Sequence, residues 1–344
     1  MKPITSIDGL VEAGLVPEPR RAALRRVAES FAVSVSAHVQ GLIDARDPAD
    51  PIARQYLPDA RELEQAAHEL ADPIGDAVHS PVKGIVHRYP DRVLLQLVTV
   101  CAVYCRFCFR RESVGPDSGA LSATELERAI AYIATDPGIW EVILSGGDPL
   151  LVAPRRLADL KARLDALPHV GVIRVHSRLP VADPDRVTPA LIASLRGGRA
   201  PVFLLLHANH ASEFSDAARA AIARLVDAGI PLLGQSVLLA GVNDTPESLT
   251  ALFRAMIANR VKPHYLHQGD LARGTGHFRV PIARGQALMK ALRGDVSGLC
   301  QPSYMLDIPG GYGKVPIGPG YLAADGETWT VEDYRGGRHS YRDG

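Results

Sequence analysis

The chain has 344 residues, of which 47% are hydrophobic, enough to bury the core of one large α/β barrel or two ordinary domains. Lysine plus arginine number 38, as do aspartate plus glutamate, so the net charge is zero. This balance disfavours a nucleic-acid binder held by phosphate neutralisation. Neither a signal peptide nor an apolar run approaching the ~18 residues of a membrane span is recognisable, so we expect a cytoplasmic enzyme.

Residues 1–80 have a mostly helical pattern and are predicted to form an N-terminal helical region. Leu24, Val27 and Phe31 place apolar side chains three or four residues apart, and a similar run covers residues 63–70. Proline- and glycine-containing segments separate these runs and end the region before residue 85.

Six short apolar runs follow, about 30 residues apart, each predicted to be a strand: Val93–Val100, Val142–Leu144, Val172–Val175, Val202–Leu206, Pro231–Leu239 and Val261–Leu266. Helix-like segments lie between them, among them Ala123–Ala134, Arg156–Leu167, Asp216–Ala228 and Pro246–Ala258. This alternation is typical of βαβ units with a parallel sheet. We predict an α/β fold with an incomplete parallel (β/α)6 barrel over residues 81–290 and a C-terminal segment over residues 291–344.

Polar residues follow these strands rather than precede them. In a parallel barrel such positions share one rim, where active sites lie. The set comprises Cys101, the segment SGGDP, His176 to Arg178, His207, Asn209, His210, Gln235, Ser236, His267, Gln268 and Asp270.

Three of the four cysteines, Cys101, Cys105 and Cys108, have the spacing Cys-x3-Cys-x2-Cys. Three thiolates on one tight loop can hold three irons of a [4Fe-4S] cluster and leave the fourth iron open to a small molecule. The alternative is a zinc site completed by His87 or Cys300, but zinc ligands usually come in separated pairs. The spacing therefore favours the cluster.

This spacing resembles the radical S-adenosylmethionine superfamily, in which the open iron binds S-adenosylmethionine and cleaves it to a radical. By that resemblance, Gly146, Gly147 and Asp148 after the second strand form the glycine-rich element that contacts the cofactor. Taken alone, GGDP would be an ordinary turn.

A narrower resemblance, to the lysine 2,3-aminomutase family, rests on segments spanning residues 79–321 in the family's order: HSPVKGIVHRYPDRVLL, CRFCFRR, SGGDPL, HSRLPV, GDLARGTGHFR and LDIPGGYGKVPIGPGY. It implies that pyridoxal 5'-phosphate is carried on Lys314, within a glycine loop that lets the backbone approach a bulky cofactor. A phosphate-binding P-loop is excluded because Ile308 replaces its first glycine and Val315 its Ser or Thr.

The same resemblance implies roles for five charged residues. Arg110 would bind the substrate carboxylate, a bidentate task that suits a guanidinium. Asp270 and Asp307 would hold the side-chain ammonium of L-lysine, and this pair disfavours a neutral or acidic side chain. Arg88 and Arg92 would contact the cofactor phosphate, although arginines are often simply solvated.

The expected reaction moves the α-amino group of lysine to the β-carbon, with a flavodoxin or ferredoxin as electron donor. The alternatives are an aminomutase for glutamate or arginine and a non-catalytic iron–sulfur redox protein. The chain has the length of the branch that supplies β-lysine for elongation factor P, so that role and free-lysine metabolism both stay open. Only Cys300 lies outside the cluster motif, so we expect no structural zinc, and whether the chain forms a homo-oligomer stays open.

Overall fold

The structure, a computed structural model, describes residues 2–115 and 119–344. Within them nine strands form one sheet in chain order: β1 Ile85–Tyr89, β2 Arg92–Val98, β3 Glu141–Gly146, β4 Val172–Ser177, β5 Val202–His207, β6 Leu232–Val237, β7 Val261–His267, β8 Ser303–Asp307 and β9 Lys314–Pro316. Strands β2 to β8 are parallel, and β1 and β9 add antiparallel edges. The predicted incomplete parallel barrel is confirmed, with β2–β7 as its six strands.

Four short helices precede the sheet, α1 Ile7–Glu12, α2 Arg21–Ser30, α3 Ala37–Leu42 and α4 Pro51–Tyr56. The other helices connect its strands: α5 Ala123–Thr135, α6 Pro154–Asp165, α7 Leu179–Ala182, α8 Pro189–Leu195, α9 Asp216–Asp227, α10 Pro246–Ala258 and α11 Ile282–Leu292.

The helix α5 shows why these connections are helical. Ser122 caps its first turn in a reciprocal pair with Glu125, which satisfies backbone donors that the helix itself cannot. Leu126, Ile130 and Ile133 recur at helical spacing and are buried against the sheet. Because such apolar helix faces cover the sheet, the polar residues at the carboxyl ends of the strands remain together at one rim.

The N-terminal helices pack onto the barrel rather than apart from it. Leu10, Leu24 and Tyr56 share a buried cluster with Val103, which lies between the first two cysteines, and with Ala182 at the end of α7. The N-terminal region therefore covers the loop that carries the cysteines. The predicted helical run over residues 63–70 is wrong: a 3-10 turn, Ala60–Leu63, ends there and irregular backbone follows it.

The C-terminal segment first adds the strands β8 and β9 to the same sheet and then forms a second, separate sheet. The predicted boundary at residue 290 falls within α11, and β8 then pairs in parallel with β7. Three further strands, β10 Leu322–Asp325, β11 Thr328–Glu332 and β12 Arg338–Tyr341, form a separate antiparallel sheet. None of the helices in the described part of the chain has the length and apolar composition that a membrane crossing requires.

Candidate active site

A cavity of about 360 Å³ brings together all twelve residues to which the sequence analysis gives a function, whereas four of the polar strand-end residues, Asn209, His210, Ser236 and Gln268, do not line it. The twelve are Arg88, Arg92, Cys101, Cys105, Cys108, Arg110, Gly146, Gly147, Asp148, Asp270, Asp307 and Lys314. Lys314 and the three cysteines therefore face the same space, as their predicted cooperation requires. The functions of these residues stay predictions.

The cysteines lie on the loop after β2, and this loop is held by backbone contacts to α4 and to the segment between α2 and α3. The Arg106 amide donates to the Gln55 carbonyl at 2.8 Å, and the Tyr104 amide donates to the Ser34 carbonyl at 3.0 Å. Burial raises the pKa of Cys105 to about 11, although the nearby charge of Arg178 opposes that rise. A bound cationic iron centre would stabilise the thiolates that burial alone disfavours.

A single zinc ion completed by His87 or Cys300 does not fit the structure. His87 Nδ1 lies 2.8 Å from the Tyr132 hydroxyl, Cys300 is buried in the hydrophobic core, and neither lines the cavity. In residues 2–115 and 119–344, no three Cys, His, Asp or Glu side chains converge closely enough to hold one metal ion. A four-iron cluster spans a wider cage than one ion, so three thiols around a cavity fit it better.

Two arginines of the cysteine loop are fixed by one buried carboxylate. Glu62 is fully buried and accepts from Arg106 Nε at 3.0 Å, from Arg106 Nη2, and from Arg111 Nη2. The two positive charges outweigh burial, so the pKa of Glu62 is lowered. Through these ion pairs Arg106 and Arg111, which lie on either side of Cys108 in the chain, are held to the segment after α4.

The glycine-rich element after β3 packs directly on the strand that leads to Cys101. A Cβ on Gly147 would lie 2.2 Å from the Val100 carbonyl oxygen, and one on Gly146, where φ is +105°, would lie 2.4 Å from the Val98 carbonyl oxygen. Only glycine allows this approach. The element therefore sets the position of the cysteine loop.

The Asp148 carboxylate is occupied by protein donors. It accepts from the Ser177 hydroxyl at 2.8 Å, and from the backbone amides of Leu150, Arg178 and Leu179 at 2.9–3.0 Å. Its side chain thus joins the loops after β3 and β4. Any contribution of Asp148 to cofactor binding must come through this positioning or through its backbone.

The glycine loop before Lys314 is docked on two segments. Gly311 accepts a hydrogen bond at its carbonyl from His79 Nε2 at 2.9 Å, and the Lys314 amide donates to the Tyr89 hydroxyl at 2.7 Å. A Cβ on Gly75 would lie 2.6 Å from the Gly311 nitrogen, so the segments touch backbone to backbone. This docking directs the Lys314 amine into the cavity.

Lys314 is paired with one of the two predicted substrate acids. Its Nζ lies 2.5 Å from Asp307 Oδ1, and His267 Nδ1 lies 3.6 Å from Asp307 Oδ2. Burial would raise the pKa of Asp307, but contact with His267 and the charge of Lys314 outweigh it and lower the pKa to about 2. Asp307 is therefore ionised and already holds an ammonium group.

The other acid, Asp270, has no ionic partner among the described residues. Burial, followed by the charge of Asp307, raises its pKa to about 7. A free carboxylate at the wall of a cavity is a site for a cation, and an incoming ammonium would favour its ionised form.

Arg110 and Arg88 share a carboxylate that the sequence reasoning missed. Asp76 Oδ2 accepts from Arg110 Nε at 3.0 Å and from Nη2 at 2.7 Å, while Asp76 Oδ1 accepts from Arg88 at 3.1 Å. Arg92 instead pairs with Asp91 at 2.6 Å and lies over the Tyr89 ring. Asp76 comes from a loop rich in turn formers, and no sequence pattern marks it.

Two histidines noted at the strand ends have buried nitrogens without partners. His176 Nε2 and His207 Nε2 make no hydrogen bond within the described residues, although both rings line the cavity. Burial lowers the pKa of each well below its usual value, so both are neutral. Unpaired polar atoms in a cavity are costly, and a bound ligand can satisfy them.

Two family models match this chain. Residues 95–253 match the Radical SAM superfamily, and residues 289–343 match Lysine-2,3-aminomutase. The first range covers β2 to α10 with the cysteine loop, and the second covers the glycine loop with Lys314.

Curated relatives extend the similarity over most of the chain. L-lysine 2,3-aminomutase from Acetoanaerobium sticklandii is 42% identical over 92% of this chain and 76% of its own length. The Clostridium subterminale protein of that name is also 42% identical, over 88% of this chain and 73% of its own length. Glutamate 2,3-aminomutase from Clostridioides difficile is 33% identical over 95% of this chain and 77% of its own length.

Proposed function

Since the chain belongs to the lysine 2,3-aminomutase family of radical S-adenosylmethionine enzymes, and is thus an isomerase, we propose that it converts L-lysine to β-lysine. The observation that carries this proposal is the single cavity that holds three cysteine thiols, the Lys314 amine and two carboxylates. Neither a hydrolase nor a plain electron carrier needs that combination.

We assign the cofactors to the residues that fit them. The three cysteines would hold the [4Fe-4S] cluster, which together with S-adenosylmethionine would supply radical chemistry at this end of the cavity. Lys314 would carry pyridoxal 5'-phosphate, which would supply the conjugated system that a shift of an amino group between adjacent carbons requires. Arg88 and Arg92 line the same cavity and suit its phosphate. Positive φ at Gly311 and Gly313 lets the loop pack closely against His79 and Tyr89, which places Lys314 at the cavity.

The charged residues would hold lysine by both ends. Arg110 donates from Nε and Nη2 to one oxygen of Asp76, and the same two N–H groups could bind an α-carboxylate. Asp270 offers an unpaired carboxylate to the ε-ammonium, and Asp307 already binds an ammonium group in the form of Lys314. Two fixed ends limit which hydrogen of the substrate lies within reach of the radical.

The alternative substrate is glutamate, because one relative bears that name. A second carboxylate would have to enter beside Asp270 and Asp307, whose negative charges repel it in a buried cavity. Both acids therefore favour lysine over glutamate, while arginine, also cationic, needs a direct test.

The test is anaerobic incubation of the reconstituted protein with S-adenosylmethionine, a reductant and lysine, glutamate or arginine in separate reactions. We expect β-lysine from lysine and no β-amino acid from glutamate. Turnover of glutamate or arginine without turnover of lysine would reject the substrate assignment. A non-catalytic iron–sulfur protein would instead bind no pyridoxal 5'-phosphate. Its wild type would lack the pyridoxal absorbance that we expect to see in this protein and to lose in Lys314→Ala.

The product has two candidate destinations, free β-lysine and the modification of elongation factor P. Mass spectrometry of elongation factor P from cells with and without this gene separates them, because only the second predicts a loss of β-lysyl mass. A flavodoxin or ferredoxin is the proposed electron donor, and each can replace the chemical reductant in the same assay.

A further inference from the structure

Arg178 places a buried guanidinium against one of the cysteine sulfurs. It follows β4, and its side chain is 7% exposed. Its Nη1 donates to Cys105 Sγ at 3.3 Å, while Nη2 donates to Gln55 Oε1 at 2.5 Å and to Glu213 Oε2 at 2.6 Å. The residue therefore keeps a positive charge beside the cysteine loop.

The guanidinium has no room to turn away from this sulfur. It lies over the Tyr56 ring at 4.9 Å and the Phe107 ring at 5.3 Å, and the Arg178 backbone amide is held by Asp148 at 2.9 Å. A cation fixed in this way acts on its neighbour without reorganising.

Glu213 holds Arg178 and offsets part of its charge. Its carboxylate, 1% exposed, also accepts from the backbone amides of Asn209 at 2.7 Å and His210 at 3.0 Å, and from the Tyr56 hydroxyl at 3.3 Å. The carboxylate is thus as firmly held as the guanidinium, and it accepts from Nη2 of Arg178, whereas the sulfur accepts from Nη1.

We propose that Arg178 is a positioning residue that sets the reduction potential of the cluster by stabilising its reduced form through Cys105. The inference rests on the cluster assigned above. One electron from a low-potential one-electron donor adds one negative charge to the cluster and its thiolates, and no proton moves. A donor and a fixed positive charge at a ligand sulfur stabilise that added charge and raise the potential.

Substituting Arg178 and Glu213 separately gives a test in which the direction of the shift in reduction potential distinguishes this function from a purely structural one. Removing the guanidinium lowers the potential because the added electron loses its partner. Removing the charge of Glu213 raises the potential because the positive charge of Arg178 is no longer offset. If the two residues only support the packing of the loop, the reduction potential should shift in the same direction in both variants.

The experiment is an anaerobic redox titration of the full-length reconstituted protein, followed by electron paramagnetic resonance of the reduced cluster, without S-adenosylmethionine or lysine. In Arg178→Gln we expect the ratio of reduced to oxidised cluster at a fixed potential to fall about tenfold, a shift of about 59 mV for one electron. In Glu213→Gln we expect a shift of opposite sign, and in Arg178→Lys a potential between those of the wild type and Arg178→Gln.

Arg174→Gln is the matched control, because Arg174 lies on β4, the strand that leads to Arg178, but pairs with Glu141 at 2.7 Å rather than with a cysteine. Its potential should equal that of the wild type. Shifts of the same sign in Arg178→Gln and Glu213→Gln, or no shift in either, would overturn the inference. If Arg178→Gln loses iron, the direction of the potential shift in Glu213→Gln tests the inference by itself: a rise supports it, and a fall or no shift overturns it. A wild-type protein that binds fewer than four irons would instead contradict the proposed function.

Discussion

The cavity has a cysteine end, lined by Cys101, Cys105, Cys108 and Arg178 and supported from behind by the buried Glu62, and a lysine end, lined by Lys314, Asp307, Asp270, Arg110 and Asp76. At the cysteine end, buried charges are neutralised by residues that remain in place. At the lysine end, charges are neutralised by residues that, under the proposed function, would exchange partners once substrate enters.

Exposure distinguishes Lys314 from the ion pairs of the cysteine end. The Glu62 side chain is 0% exposed and the Arg106 side chain 2%, whereas that of Lys314 is 32% exposed, although its partner Asp307 is only 5% exposed. Buried ion pairs are costly to break, while a pair with one partly solvated member exchanges more easily. Under the proposed function, the cysteine end would therefore stay rigid and Lys314 would exchange its partner, since the internal pairs at the lysine end have the charges of an amino acid substrate.

The largest expected effect is at the lysine end, from Lys314→Ala. Without its amine the chain cannot bind pyridoxal 5'-phosphate covalently, so we expect borohydride trapping and β-lysine formation both to be abolished. Iron content should not change, because the cysteine end does not depend on this residue. Lys290→Ala, which removes a lysine paired with Glu332, is the control and should keep both borohydride trapping and β-lysine formation. Loss of iron in Lys314→Ala would contradict the separation of the two ends.

The next largest effect is at the cysteine end, from Glu62→Ala. It leaves two buried arginines without their carboxylate, and we expect a loss of about 3–5 kcal/mol in the free energy of unfolding. Anaerobic urea unfolding measures it, and iron content should fall in parallel. Glu18→Ala breaks the exposed pair with Arg21 and should leave the urea midpoint almost unchanged. Equal midpoints for both variants would show that the Glu62 cluster does not hold the loop.

Asp270 gives a smaller effect that depends on pH. Its pKa is raised to about 7, chiefly by burial, and only the ionised carboxylate attracts the ε-ammonium. The value of kcat/KM for lysine should therefore rise about tenfold per pH unit below pH 7 and level off above it. At pH 8, Asp270→Asn should lower kcat/KM by roughly 10- to 100-fold and remove this limb of the profile. A profile unchanged in the variant would assign the limb to another group.

The smallest effect is expected from Ser177→Ala, which removes one of four donors to Asp148. The carboxylate keeps its backbone donors, so we expect a loss of only about 1 kcal/mol in the free energy of unfolding. The midpoint of urea unfolding measures it, and iron content should remain at the wild-type level. A loss as large as that in Glu62→Ala would show that the loops after β3 and β4 depend on this hydroxyl.

Much of the fold could be predicted because its signals are local. The run Val202–Leu206 is apolar throughout, as a strand covered on both faces must be, and it forms β5. The strand β8, Ser303–Asp307, was missed because it is short and mixed in polarity. It is a strand because it pairs with β7, which no local pattern records.

The sequence by itself determined the cysteine spacing, the glycines before Lys314 and the order of strands and helices, because each depends on residues close together in the chain. Only the tertiary structure decided that Asp76 would meet Arg110, Glu62 would bind Arg106, and Arg178 would reach Cys105. These partners are 34, 44 and 73 residues apart. A charged residue in a helix or loop has the same local pattern whether it is solvated or buried, and only packing selects its partner.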